Sequence, residues 1–112
     1  MNTGDVVLIP LAQVGGGPAK MRPALVLAPL PGPYQHVLIC GISTQMHDLR
    51  PDWDELLDSG DPDFAGSGLH RASAIRLSYL YAANSREIAG AIGHIAQERL
   101  QRLRARLAGV LA

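Results

Sequence analysis

The sequence contains little of what several common classes of protein need. Cys40 is the only cysteine, and aromatic residues make up 4% of the chain. A single cysteine excludes an internal disulfide and fits a reducing compartment, while so few aromatics argue against a platform of stacked RNA bases. No hydrophobic run approaches the roughly 20 residues of a transmembrane helix, and the first residues lack the basic region and cleavage site of a signal peptide. We therefore expect a cytoplasmic protein without membrane association.

Motifs for several enzyme and metal-binding classes are also missing. The glycine-rich segment 15–20 lacks the Gly-Lys-Ser/Thr of a phosphate loop. Segment 61–72 has alanine at the fifth and twelfth positions, where a calcium loop needs ligands. No histidine pairs with another histidine or a cysteine at zinc-ligand spacing, and there is no Gly-x-Ser-x-Gly nucleophile elbow. We expect neither a metal nor a cofactor.

The composition is that of one globular domain. The 112 residues suffice for one domain, and 47% of them are hydrophobic, which suits a single packed core. The net charge is zero, but residues 48–63 carry seven acidic residues and one arginine, whereas residues 67–112 carry seven arginines and two glutamates. We predict a single domain over residues 1–112 with a long acidic loop at about residues 46–68.

Short aliphatic and β-branched runs, separated by proline and glycine, predict a mostly β protein. The predicted strands are residues 5–9, 23–28, 36–42, 72–83 (as one strand or two) and 90–95. Pro10 is expected to end the first strand and Pro23 to begin the second, because proline lacks the N–H that a strand interior needs. A glycine-rich loop is expected over 13–22. Asn84 and Glu87 have capping-box spacing, which predicts a short helical turn.

An amphipathic helix is predicted at the C-terminus, from Gln97 to Leu111. Its apolar stripe consists of Leu100, Leu103, Leu107, Val110 and Leu111. We expect this stripe to pack on the body of the protein, a dimer contact being the alternative. Arginines at positions 99, 102 and 106 form a second stripe. Several strands and one helix, without βαβ alternation, predict an α+β fold, mostly β, of the small-barrel type.

The acidic loop carries apolar residues only in patches. We expect Trp53 and Phe64 to pack back onto the body, and the acidic side chains to be solvated. Loops of this length in small domains are often functional. His47 and His70 flank the loop, and either is a candidate acid or base. A further hypothesis is that the loop screens a nearby cleft from phosphates, since like charges repel.

Two polar stretches lie at ends of predicted strands. One is Lys20-Met-Arg-Pro-Ala-Leu-Val26, and the other is Ile42-Ser-Thr-Gln45. Each alone is typical of an ordinary strand end. In this order, after Gly4-Asp-Val-Val-Leu-Ile-Pro10 and before Ile92-Gly-His-Ile95, they resemble the PemK/MazF family of toxins of type II toxin-antitoxin systems.

The resemblance implies a small SH3-like barrel of the CcdB/MazF type with a C-terminal helix, assembled as a homodimer. It implies a metal-independent endoribonuclease that cleaves single-stranded RNA at short sequences through attack of a ribose 2′-OH. The implied protein partner is a cognate antitoxin, and operator DNA would be contacted only through that antitoxin.

The resemblance also assigns roles to individual residues. Arg22 matches the family's arginine before proline, which is catalytic, and Ser43 matches its second catalytic position. Thr44 and Gln45 correspond to neighbouring residues that shape the RNA site. Lys20, in the basic stretch before Arg22, is a further candidate for RNA binding.

One departure from the family pattern keeps alternatives open. Many relatives carry an arginine in the strand after the variable loop, whereas this chain has Ser78-Tyr-Leu-Tyr81 there. Arg71 and Arg76 are the candidates to replace it. The first alternative is a catalytically weak or inactive module that binds an antitoxin or operator DNA. The second is a toxin acting on a protein target such as a topoisomerase, because a fold alone does not determine function.

Overall fold

In the part of the chain that the structure describes, six antiparallel strands form one curled sheet, a half-barrel followed by one helix. This computed structural model describes residues 1–11 and 16–112, so residues 13–15 of the predicted glycine-rich loop lie outside the described residues. The strands are β1 (Asp5–Leu11), β2 (Lys20–Pro29), β3 (His36–Ser43), β4 (Glu55–Leu57), β5 (Ser73–Asn84) and β6 (Gly90–His94), and the helix is α1 (Gln97–Leu111). The order across the sheet is β4-β5-β3-β2-β1-β6. The predicted fold class is confirmed.

Two predicted strand boundaries at prolines are wrong, because both prolines lie inside strands. Pro10 is within β1, and Pro23 is within β2. The pairing of β1 with β6 ends at Leu8, and the pairing of β2 with β3 begins only at Ala24. Each proline is therefore paired on one side only, where a missing donor is tolerated. The predicted turn after Asn84 is present as a 3₁₀ turn, Ser85–Glu87, with both hydrogen bonds of a capping box.

Alternation along the strands divides the apolar residues between the two faces of the sheet, as expected for a period of two. One face carries Val6, Leu25, Leu27, Cys40 and Ile42 and is covered by α1. The other carries Val7, Ile9, Val26, Val37 and Ile39. Both sets are buried, so the sheet contributes to two hydrophobic clusters.

The apolar stripe of α1 is shorter than predicted. Leu100, Leu103 and Leu107 are buried against the sheet, as expected. Val110 and Leu111 are 66% and 76% exposed, because the cluster that receives the helix ends at Leu107. No helix among the described residues has the length and apolar character needed to cross a membrane.

The segment predicted as a solvated acidic loop is instead part of the packed structure. It contains β4, which pairs with β5, and a 3₁₀ turn at Ala65–Ser67. Leu57 is completely buried. Trp53 and Phe64 pack against the core, as predicted. A three-residue strand is too short to leave a periodic pattern, which is why the sequence did not reveal β4.

The arginine stripe of α1 binds the acidic segment, which corrects the expectation of solvated carboxylates. Arg99 contacts three carboxylates: its Nη1 lies 2.8 Å from Glu55, its Nη2 lies 3.0 Å from Asp61, and its Nε lies 2.8 Å from Asp63. The Arg102 Nε donates to Glu55 at 3.0 Å. The separated charges of the sequence are thus joined in one network beside the helix.

The turn Ala65–Ser67 packs on β6, which is an edge strand of the curled sheet. A Cβ on Gly68 would collide with the backbone of Ile92, and a Cβ on Gly93 would collide with the backbone of Gly66 and Ser67. Gly68 also has a φ of +75°, which L side chains rarely adopt. Glycine at these positions permits the close approach of the two segments.

Gly93→Ala is therefore expected to destabilise the protein by about 1–3 kcal/mol, because backbone atoms cannot move aside for the methyl group. Gly109→Ala is the matched control, since Gly109 lies in α1 and a Cβ added there would project into open space. It should stabilise the protein by about 0.5–1 kcal/mol. Urea unfolding of both variants measures these changes, and equal stabilities would contradict the close packing at β6.

Candidate functional site

A cleft of about 470 Å³ opens where the ends of β2 and β3 face the chain after Gly68. Its lining residues are Leu8, Arg22, Pro23, Ile42, Ser43, Thr44, Gln45, Gly68, Leu69, His70, Arg71, Ser73 and Ile92. The apolar members come mainly from the sheet. The polar and cationic members come from strand ends and from the segment that the contact with β6 holds in place.

The topology brings the two residues predicted as catalytic into this one cleft. Arg22 is exposed on β2, opposite Ile9 of β1. Ser43 is the last residue of β3, which is hydrogen-bonded to β2. Arg22 and Ser43 therefore come from neighbouring strands and line one cavity, although 21 positions separate them in the sequence.

Ser43 is oriented by a local hydrogen bond at the end of β3. Its Oγ accepts the backbone N–H of Gln45 at 3.0 Å. No acceptor within the described part of the chain is recorded for the Ser43 hydroxyl hydrogen, so this hydrogen is left to donate to a molecule in the cleft. Thr44 and Gln45 are exposed in the same turn and line the cavity.

The lining also contains His70 and Arg71, both exposed. Of the two arginines considered as replacements for the missing family arginine, Arg71 is the one that lines the cleft. The sequence signal for its place is weak, because the position depends on the packing of Gly68 against β6. The sequence hint to this position was the neighbouring His70, which was already a candidate acid or base.

The other candidates lie outside the lining. Lys20 begins β2, two residues before Arg22, and is exposed without lining the cavity. The exposed His47 has its Nε2 3.1 Å from a carboxylate oxygen of Asp48. Arg76 donates to the backbone carbonyl oxygens of Gln45 and Asp48, behind the turn that carries Ser43.

The charge of the cleft is suited to an anion. Its lining includes Arg22, Arg71 and His70, and among the described residues no aspartate or glutamate joins them. Arginine is well matched to phosphate because its planar fork offers two parallel donors. The carboxylates of the acidic segment that bind Arg99 and Arg102 lie outside this lining, so the structure gives no support to the hypothesis that they screen the cleft.

Among the described residues, neither a reactive thiol nor a cluster of metal-ligating side chains is found. Cys40 is buried in the core, and burial together with the charge of Asp54 raises the pKa of its thiol to about 12, so it stays protonated at neutral pH. Within residues 1–11 and 16–112, no group of three or more His, Cys, Asp or Glu side chains is placed to hold a metal ion.

Comparison with protein families is decisive for the class of protein. A family model of PemK-like, MazF-like toxins of type II toxin-antitoxin systems matches residues 2–111. The chain belongs to this family. The resemblance found in the sequence is confirmed, and membership of this family makes the protein a toxin of a type II toxin-antitoxin system. A search among curated proteins finds no match.

Solved structures share the fold of the chain. The toxin MazF-mt6 of Mycobacterium tuberculosis superposes with a TM-score of 0.68 at 17% identity, covering 96% of this chain and 95% of that chain. An endoribonuclease in complex with its cognate antitoxin, from a mycobacterial species, gives a TM-score of 0.61 at 15% identity, covering 99% and 94%. At these identities the likeness establishes the fold.

Proposed function

We propose that this toxin is a sequence-selective endoribonuclease that cleaves single-stranded RNA in the cytoplasm without a metal ion. The observation that carries the proposal is that Arg22, Arg71 and Ser43 line one cleft whose described lining lacks carboxylates, and that the Ser43 hydroxyl hydrogen has no acceptor among the described residues. Such a site attracts a phosphodiester and offers donors to its oxygens.

The proposed reaction is an internal transesterification. The ribose 2′-OH attacks the adjacent phosphorus and loses its proton, the bond from phosphorus to the 5′-oxygen breaks, and the leaving oxygen takes up a proton. The products are a 2′,3′-cyclic phosphate and a 5′-hydroxyl. The nucleophile is the 2′-OH of the substrate itself. DNA lacks this group, so DNA cannot react in this way.

Each lining residue has a chemically reasonable role in that reaction. Charge develops on the phosphorane oxygens, and Arg22 would stabilise it with two aligned donors. A guanidinium remains protonated, so it is a poor proton donor. Ser43 would donate to a phosphate oxygen or orient the 2′-OH. His70 is the candidate for proton transfer, since imidazole is the side chain that most often performs it.

The positive charge of the cleft favours an acidic protein partner. We propose that a cognate antitoxin covers the cationic cleft with an acidic, disordered segment, and that operator DNA is reached only through the antitoxin. The solved mycobacterial endoribonuclease is in complex with its cognate antitoxin, which supports an antitoxin as the protein partner. A homodimer is proposed as the free form, and light scattering of the purified protein tests it.

The activity is tested with a long mixed-sequence RNA incubated with the purified protein in EDTA. We expect discrete cuts that end in cyclic phosphate and share a short sequence. Once a cut site is mapped, a short RNA oligonucleotide that contains it should also be cleaved. The matched control is the same oligonucleotide with one 2′-deoxyribose at the cut site, which should remain intact. If the folded protein leaves all RNA intact, the ribonuclease proposal fails, and binding or protein-target activity becomes the explanation.

A further inference from the structure

A buried carboxylate lies behind the turn that carries Ser43. Asp54 is 2% exposed. Its Oδ1 accepts the backbone N–H and the hydroxyl of Ser78, both at 3.1 Å, and its Oδ2 accepts the backbone N–H of Arg50 at 3.2 Å. The Arg76 Nη1 lies 3.6 Å from the same Oδ2. A carboxylate this deeply buried requires such partners, and Arg76 supplies the positive charge among them.

The strand geometry explains why Ser78 and Arg76 are available to Asp54. The register between β3 and β5 passes from Cys40–Leu80 to Gly41–Arg76, which leaves residues 77–79 without partners on β3. Such an irregularity frees backbone groups from the ladder and redirects side chains. Asp54 binds the freed N–H of Ser78, and Arg76 stands at the edge of the irregularity.

Arg76 connects this buried carboxylate to the cleft. Its Nη2 donates to the backbone carbonyl of Gln45, and its Nη1 donates to that of Asp48 at 3.1 Å. Gln45 in turn donates its N–H to the Ser43 Oγ at 3.0 Å. One continuous series of contacts therefore runs from a buried carboxylate, through a guanidinium and one residue of the turn, to the hydroxyl in the cavity.

We propose that Arg76, held by Asp54, is a positioning residue for the RNA cleavage proposed above, on which this inference rests. Arg76 does not contact the RNA. It fixes the turn from Ser43 to Gln45 so that the Ser43 hydroxyl hydrogen faces the scissile phosphate. This gives Arg76 a role different from that of the missing family arginine, because its donors are used by the protein itself.

The test is a double-mutant cycle between Arg76 and Ser43. Arg76→Gln is expected to lower kcat by about 10–100-fold with KM nearly unchanged, because small misplacements of catalytic groups have effects of this size. In the Ser43→Ala background the same substitution should change kcat less than about twofold, since residues in one network are not additive. Arg104→Gln, an exposed arginine of α1, is the matched control and should cleave like the unaltered protein.

Arg76→Lys keeps a positive charge beside Asp54, and it replaces Arg76→Gln in the test if the Gln variant does not fold. A single ammonium cannot reproduce the forked contact with two carbonyl groups, so kcat should fall between the unaltered and Gln values, and the NMR amide signal of Gln45 should shift. A folded Arg76 variant that cleaves at the unaltered rate overturns the inference, as does an equal loss of kcat in both Ser43 backgrounds. Absence of cleavage by the unaltered protein is a different result, because it refutes the proposed function itself.

Discussion

Arg22→Gln is expected to lower kcat/KM for RNA cleavage by about 100–1000-fold. The substitution removes a preorganised, charged donor from the position where negative charge develops on the phosphate, and losses of this kind have that size. Arg22 is exposed on β2 and lines the cleft, so its removal leaves the hydrophobic clusters intact. The measurement is single-turnover cleavage of an RNA oligonucleotide containing the mapped cut site.

Arg22→Lys distinguishes charge from geometry at the same position. Lysine keeps the positive charge but loses the planar fork that binds two phosphate oxygens together. We expect it to recover part of the lost rate. Arg86→Gln, which removes an exposed arginine outside the lining, is the matched control for general attraction of RNA. Equal rates for Arg22→Gln and Arg86→Gln would remove Arg22 from the mechanism.

Those parts of the fold that depend on local patterns could be predicted from the sequence. The helix bounds Gln97 and Leu111 were predicted as they are found, because spacings of three and four repeat over four turns. The third strand was predicted to within one residue for a similar reason, since its apolar run is continuous. The end of the first strand was placed wrongly at Pro10. A strand tolerates proline where it is paired on one side only, and the sequence of one strand does not reveal how far its neighbours extend.

The candidate site was predictable on one side only. Ser43, Thr44 and Gln45 end a strand, and Arg22 lies on the strand paired with it, so local signals were enough to suggest one cleft. Arg71 lines the same cleft because the chain at Gly68 packs on β6, and a contact between segments about 25 residues apart leaves no local pattern. Arg76 could not be assigned for the same reason, since its acceptors are backbone carbonyl groups 28 and 31 residues away.

Arg99→Met is expected to destabilise the protein by about 3–5 kcal/mol, because removing one partner from a buried ionic group leaves uncompensated charge. The Arg99 side chain is 10% exposed, and those of Glu55 and Asp63 are 13% and 9% exposed. Arg102→Met is the matched control on the same helix. Its side chain is 51% exposed, and exposed pairs contribute at most about 1 kcal/mol. Urea unfolding at neutral pH measures both.

The same variant should alter the response of stability to acid. The hydrogen bond from Arg99 lowers the pKa of Asp63. Burial would raise the pKa of Glu55, but the hydrogen bond and charge of Arg102, with the charges of Arg99 and Arg106, lower it. An unfolded carboxyl titrates at about pH 4. The unfolded chain therefore binds protons first, and stability present above about pH 4 is lost as the pH falls toward the lower folded values.

Arg99→Met should therefore lose less stability than the unaltered protein between pH 5 and pH 3, since the pKa of Asp63 is no longer held down. Arg102→Met should keep the response that comes from Asp63, because Arg99 still donates to that carboxylate. The unfolding free energy of all three proteins across this range is the deciding measurement. An identical acid response in Arg99→Met and the unaltered protein would mean that the contact between α1 and the acidic segment is not maintained in solution. The acidic segment would then be free to move away from the helix, and the hypothesis that it screens the cleft would need its own test.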